Sequence, residues 1–94
     1  MMQKYYIYIG SNNKTHKLES EEAISTISKY FDGFTAYEVI GYWKGSQEKT
    51  LKVEIVSDTS MGDALIIRMI KELKIQLHQD AIMLEKISSN TAFI

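Results

Sequence analysis

The sequence predicts an α+β fold whose strands and helices follow the order β-α-β-β-α-β. Three observations carry that reading. Apolar and polar residues alternate with a period of two at 4–9, K-Y-Y-I-Y-I, and again at 49–57. Apolar residues recur at helical spacing over 20–31 and over roughly 60–78. Breaks rich in Gly, Asn, Asp and Ser separate these stretches, at Gly10-Ser11-Asn12-Asn13, Asp32-Gly33 and Lys44-Gly45-Ser46-Gln47.

Each element has its own justification. Residues 4–9 are β-branched and aromatic, which suits a strand. Ser20, followed by Glu21 and Glu22, predicts a helix start with a side-chain cap and acids at the positive end of the dipole. Ala23, Ile24, Ile27, Tyr30 and Phe31 form its apolar stripe, and Asp32-Gly33 is the expected stop. Phe34 to about Trp43 reads as the second strand, and 44–47 as a hairpin tip. In the third strand, Leu51, Val53 and Ile55 alternate with Thr50, Lys52 and Glu54. Asp58 to Ser60 offer caps to a second helix with Ile66, Met69, Ile70, Leu73 and Leu77 on its core side. Ala81 to Ile87 make the last strand. This order is that of the ferredoxin-like fold, a four-stranded antiparallel sheet with both helices on one face and strands one and three central.

The 94 residues suit one ferredoxin-like domain, expected to span 1–94. Eleven basic residues face twelve acidic ones, for a net charge of −1, which argues against a polyanion-coating protein. The chain has no cysteine, so disulfides, thiolate zinc sites and a cysteine nucleophile are excluded. No apolar run reaches the roughly 18 residues of a membrane span. The N-terminus lacks the pattern of a signal peptide, so the expected location is cytoplasmic.

Alternation sends Tyr6, Tyr8, Thr50, Lys52 and Glu54 to the open face of the sheet, with Glu38, Met83 and Glu85 joining from the edges. Two tyrosines on a central strand resemble a single-strand RNA platform, but the third strand offers Lys52 and Glu54 where such platforms place aromatics. Cover by a second subunit is the stronger reading, with Tyr6, Tyr8, Lys52 and Glu54 at the interface. Ile75 lies opposite the core stripe of the second helix and is a further candidate contact.

Trp43 is the only tryptophan and sits between Gly41 and Gly45. One reading has it pack over a small core. The other places the indole beside Glu48 and Thr50 as a ligand contact. The segments F-D-G-F-T, G-Y-W, E-K-T-L-K-V and L-H-Q-D-A-I resemble a family of small uncharacterised bacterial domains, with Gly33, Thr35, Gly41, Trp43, Glu48, Thr50 and Gln79 on its pattern. That family has no settled activity, so the resemblance implies the fold and leaves the function open.

A second candidate site is the loop after the first strand. Asn12, Asn13, Lys14 and His16, with His78 and Gln79 at the start of the last strand, are expected at one edge. Amides, a lysine and a helix N-terminus suit an anionic or nucleotide-like ligand. Plain turn chemistry is the competing reading. The hairpin with Glu48 is expected at the opposite end of the sheet, so that only a dimer would join the two groups.

No phosphate-binding glycine loop occurs. Two histidines without a third ligand at metal spacing give no metal site, and no cofactor is expected. The leading functional reading is a non-catalytic binding protein, expected as a homodimer. It would sequester a small anionic or nucleotide-like ligand, or bind a protein partner. Size and composition suit a phage-encoded or bacterial accessory protein, including an antagonist of a host defence or signalling pathway. The alternative is a small oxygenase- or isomerase-like enzyme of the dimeric α+β barrel type.

Overall fold

The computed structural model describes residues 2–58 and 60–94. Its elements are β1 (Met2–Ile9), α1 (Ser20–Ser28), β2 (Thr35–Trp43), β3 (Ser46–Ser57), α2 (Gly62–Gln76) and β4 (Met83–Ser89). The four strands form one antiparallel sheet in the order β2-β3-β1-β4, which is the ferredoxin-like topology the sequence predicts. The period-two alternation fixes which face is buried. Tyr5, Ile7 and Ile9 of β1 and Leu51, Val53 and Ile55 of β3 are all buried. They meet Ala23 and Ile27 of α1 and Ile66, Met69, Ile70 and Leu73 of α2, with Leu77 just beyond.

The element ends depart from expectation for local reasons. Neither helix has a side-chain N-cap. At α1 the cap position is Glu19, and the Ser20 hydroxyl, already inside the helix, donates to Glu38 Oε2 of β2 at 3.0 Å. At α2 the cap position is Met61, and Thr59, one of the expected caps, lies outside the described residues. Helix α1 stops at Ser28, short of Asp32-Gly33, because its last turn tightens. Lys29 N–H bonds the Thr26 carbonyl and Tyr30 N–H the Ile27 carbonyl, an i→i−3 pattern. Lys29 and Tyr30 then both reach Glu72 of α2 and clamp the helices together.

One geometric consequence matters for function. β3 pairs with β1 over 51–57 but with β2 over 46–54. The stretch 46–50 and its partner 39–43 therefore project past the end of β1 as a two-stranded arm. Lys44 and Gly45 close the arm, both with positive φ, the requirement of a type I′ turn.

Candidate functional site

The loop after β1 is organised by Asn12, which is only 5% exposed. Its Oδ1 accepts the Lys14 N–H (2.7 Å) and the Thr15 N–H (3.2 Å), while its Nδ2 donates to Glu19. Its backbone closes the loop onto Lys17 and His16. The Asn12 side chain is thus consumed by turn chemistry. Asn13, Lys14 and His16 are exposed, and His16 holds a positive φ.

Glu48 corrects the sequence-based placement. The arm lies at the same end of the sheet as this loop, because β1 and β3 are antiparallel and the start of β3 must sit beside the end of β1. The Ser11 N–H points at Glu48 Oε2 across 3.4 Å, and the Ser11 hydroxyl donates to the Lys49 carbonyl at 3.2 Å. Glu48 folds over Gly10 so closely that a Cβ there would stand 3.0 Å from its Oε1. On the far side a Cβ at Gly41 would stand 2.5 Å from Thr50 Oγ1. Both glycines are there for clearance. An open cleft of ≈590 Å³ spans the junction, lined by Ser11, His16, Lys17, Glu38, Glu48 and Lys49 among others. Among the described residues the Glu48 carboxylate has no basic partner within ion-pair distance. It therefore retains most of its acceptor capacity for something else.

Glu38 is also corrected. It pairs with Leu51, a core residue, so it shares the helix side of the sheet and lies away from the open face. Gln79 does converge on the loop, as predicted, and its Nε2 donates to the Ser11 carbonyl. His78 does not line the cleft. It occupies the left-handed position that terminates α2, with φ of 51°, and its side chain is exposed.

Trp43 does not pack over a core within this chain, since it is 67% exposed. Its neighbours on the arm, Ile40 and Tyr42, are exposed too. Register puts Trp43 diagonal to Glu48 on the same face of the arm, with the Lys44 ammonium 5.9 Å from the indole. On the open face Lys52 stands among three tyrosines, 4.7 Å from the Tyr6 ring, 5.4 Å from Tyr8 and 5.7 Å from Tyr37. Tyr37 also donates to Glu54 at 3.0 Å. Sequence reading missed Tyr37, although its pairing with Lys52 follows once the hairpin register is set. Ile75 is exposed, as its helical angle predicts.

A separate polar cluster joins β1, α2 and β4. The Tyr5 hydroxyl donates to Asp63 at 2.5 Å, and Lys86 reaches the other carboxylate oxygen at 2.8 Å. Burial, reinforced by the Asp63 carboxylate, pushes the Tyr5 phenol up to about 12. Among the described residues no acidic or histidine group clusters at metal spacing, and no helix is long and apolar enough to cross a membrane.

No protein-family model matches the chain, and no curated protein matches it either. Solved structures share its fold. A DUF3240 family protein from Shewanella baltica OS155 superposes with a TM-score of 0.69 at 12% identity, over 98% of this chain and 94% of that one. A phage SAM lyase in its apo state gives 0.68 at 15% identity, over 90% and 78%. The phage SAM lyase is also solved in complex with S-methyl-5′-thioadenosine. CPII, a nitrogen regulatory PII-like protein from Thiomonas intermedia K12 bound to ADP, AMP and bicarbonate, gives 0.57 at 10% identity, over 98% and 96%. At such identities the likeness is one of fold.

Proposed function

We propose that the chain binds a small adenosine-bearing metabolite at the junction of the arm and the β1–α1 loop. The observation that carries this is the Glu48 carboxylate, set over Gly10 without a basic partner among the described residues. A carboxylate so placed accepts the hydroxyls of a ribose, and the exposed indole of Trp43 on the same face offers a stacking surface for a purine. Two proteins of like fold carry adenosine compounds, S-methyl-5′-thioadenosine in one and ADP and AMP in the other. Glu38 and Glu48 are offset in the lining by Lys17 and Lys49, but Glu48 itself is in no ion pair among the described residues, so the anchor point favours a neutral or cationic group. His16 lines the same cleft, and Gln79 reaches the Ser11 carbonyl beside the anchor. The protein acts as a homodimer, with Tyr6, Tyr8, Lys52 and Glu54 covered by the second copy. A phage-encoded protein that withdraws such a metabolite from its host fits this reading.

The test is calorimetric titration with S-methyl-5′-thioadenosine, SAM (S-adenosylmethionine), AMP and ADP. The uncharged or cationic compounds bind, and Glu48→Gln weakens them roughly ten- to hundredfold while melting like the parent, the loss expected for a hydrogen bond to a charged group. Failure of all four to bind at millimolar concentration sinks the reading. The likeness to a phage SAM lyase, together with a carboxylate free to face a sulfonium, favours turnover as a second reading. Chromatography of the SAM incubations decides it. New S-methyl-5′-thioadenosine means chemistry, and unchanged SAM means sequestration.

A further inference from the structure

Gln79 lies apart in sequence from both Ser11 and Glu48, yet it touches the peptide that touches the carboxylate. We propose that Gln79 is a positioning residue for Glu48, acting through the backbone of Ser11; this rests on Glu48 being the ligand anchor. The end of α2 aims the side chain. His78 takes the left-handed conformation, and the Gln79 N–H returns to the Lys74 carbonyl at 3.0 Å while the His78 N–H meets the Ile75 carbonyl at 3.5 Å. That is a Schellman ending, and it fixes the backbone of the residue after the left-handed one. Residue 79 therefore leaves the helix on a rigid mount, and its side chain is directed back toward the end of β1.

The carboxamide orientation follows from its neighbours. Both acceptors near Nε2 are carbonyl oxygens, that of Ser11 and, at 3.5 Å, that of Leu77. Only the amide nitrogen can face them. Ser11 is then held from three directions. Its carbonyl accepts from Gln79, its hydroxyl donates to the Lys49 carbonyl, and its N–H is directed at Glu48. The Ser11–Glu48 contact is long at 3.4 Å, so it guides the carboxylate without saturating it. Gly10, beside Ser11, has no Cβ to block the approach of that carboxylate. Removing the Gln79 donor frees one side of Ser11, and the carboxylate loses its orienting dipole while the fold's core is untouched.

The experiment needs no ligand for its first arm. The Ser11 amide resonance is compared by NMR in the parent and in Glu48→Gln, and the substitution moves it. Gln79→Met, which keeps bulk but not the donor, shrinks that movement while leaving the Lys14 and Thr15 amides on Asn12 unchanged. Gln79→Lys, which restores a donor, recovers it. In the second arm, Gln79→Met raises the Kd for S-methyl-5′-thioadenosine roughly three- to tenfold, the worth of one hydrogen bond. Gly10→Ala, which displaces the carboxylate directly, raises it as well. A Ser11 amide that Glu48→Gln moves equally in the parent and in the Gln79→Met background overturns the proposal. Should Gln79→Met fail to fold, Gln79→Glu, with two acceptors facing the Ser11 carbonyl, takes its place with the same expected loss. A parent protein that shows the NMR relay but binds no adenosine compound refutes the ligand reading and leaves the relay standing.

Discussion

His78 illustrates how a side chain suited to binding can be present for backbone reasons. It sits at a left-handed position where a residue with a Cβ carries a steric cost of roughly 1–2 kcal/mol. Its imidazole is exposed and does not line the cleft. We predict that His78→Gly raises stability by about 0.5–1 kcal/mol, the strain relieved less the added freedom of the unfolded chain. Chemical denaturation checks this, and a loss of stability refutes it. Ligand affinity stays unchanged in that variant. Residue identity alone could not separate such roles. Asn12 and Gln79 are both amides, yet one is spent holding its own loop and the other bridges to a distant peptide. Glu48 was legible as a candidate from its place beside Trp43, but the two glycines that make room for its neighbourhood show their purpose only when the strands are in register.

At the level of elements, β1 is tied to α2 and β4 through Tyr5, Asp63 and Lys86. The buried phenol titrates near 12 when folded and near 10 when unfolded. The folded state therefore holds that proton more tightly, and stability from this group is intact below pH 10 and lost as pH rises toward 12. Asp63 has the opposite sign. The Lys86 hydrogen bond, helped by Tyr5, lowers its pKa below the ordinary 3.8, so its contribution is intact above that range and lost as pH falls through the folded value. Tyr5→Phe should cost about 1–2 kcal/mol at neutral pH, since a hydrogen bond to a charged acceptor is removed. It should also delete the latest step of the absorbance titration at 295 nm. A late step that survives in Tyr5→Phe would assign it elsewhere. The alternation of β1 and β3 marks the core in the sequence itself, because period two leaves one apolar face to bury. The hairpin end was misplaced although the strand order already determines it: β3 runs antiparallel to β1, so its start lies beside the end of β1 whatever the strand lengths. The missing helix caps differ in kind. Ser20 has the right chemistry but stands inside the helix, and Glu38 comes within its reach only through the tertiary fold.

The whole molecule measures 39 × 23 × 20 Å, and its long axis reflects the projecting arm. Ile40, Tyr42 and Trp43 on that arm are each more than 60% exposed. The open face carries Tyr6, Tyr8, Tyr37, Met83 and Ile87, and Trp43 continues it onto the arm, whereas Ile40 and Tyr42 lie on the arm's other face. Continuous surface of this kind, punctuated by Lys52 and Glu54, has the composition of a protein interface more than that of a free sheet face. Charges of both signs on one face let the same surface meet a copy of itself without net repulsion. The expected outcome is a mass in solution above the 10.8 kDa of one chain, read by light scattering during gel filtration. Tyr6→Glu, which places a like charge directly between Glu54 and Glu85 near the centre of the face, should return the protein to one chain with its far-ultraviolet spectrum intact. If assembly also shields the arm, Trp43 emission will shift to longer wavelength in that variant. A single-chain mass for the parent at high micromolar concentration would remove self-association from the proposal. Exposed aromatics would then be left to a different protein partner, and the adenosine site would have to be complete within one chain.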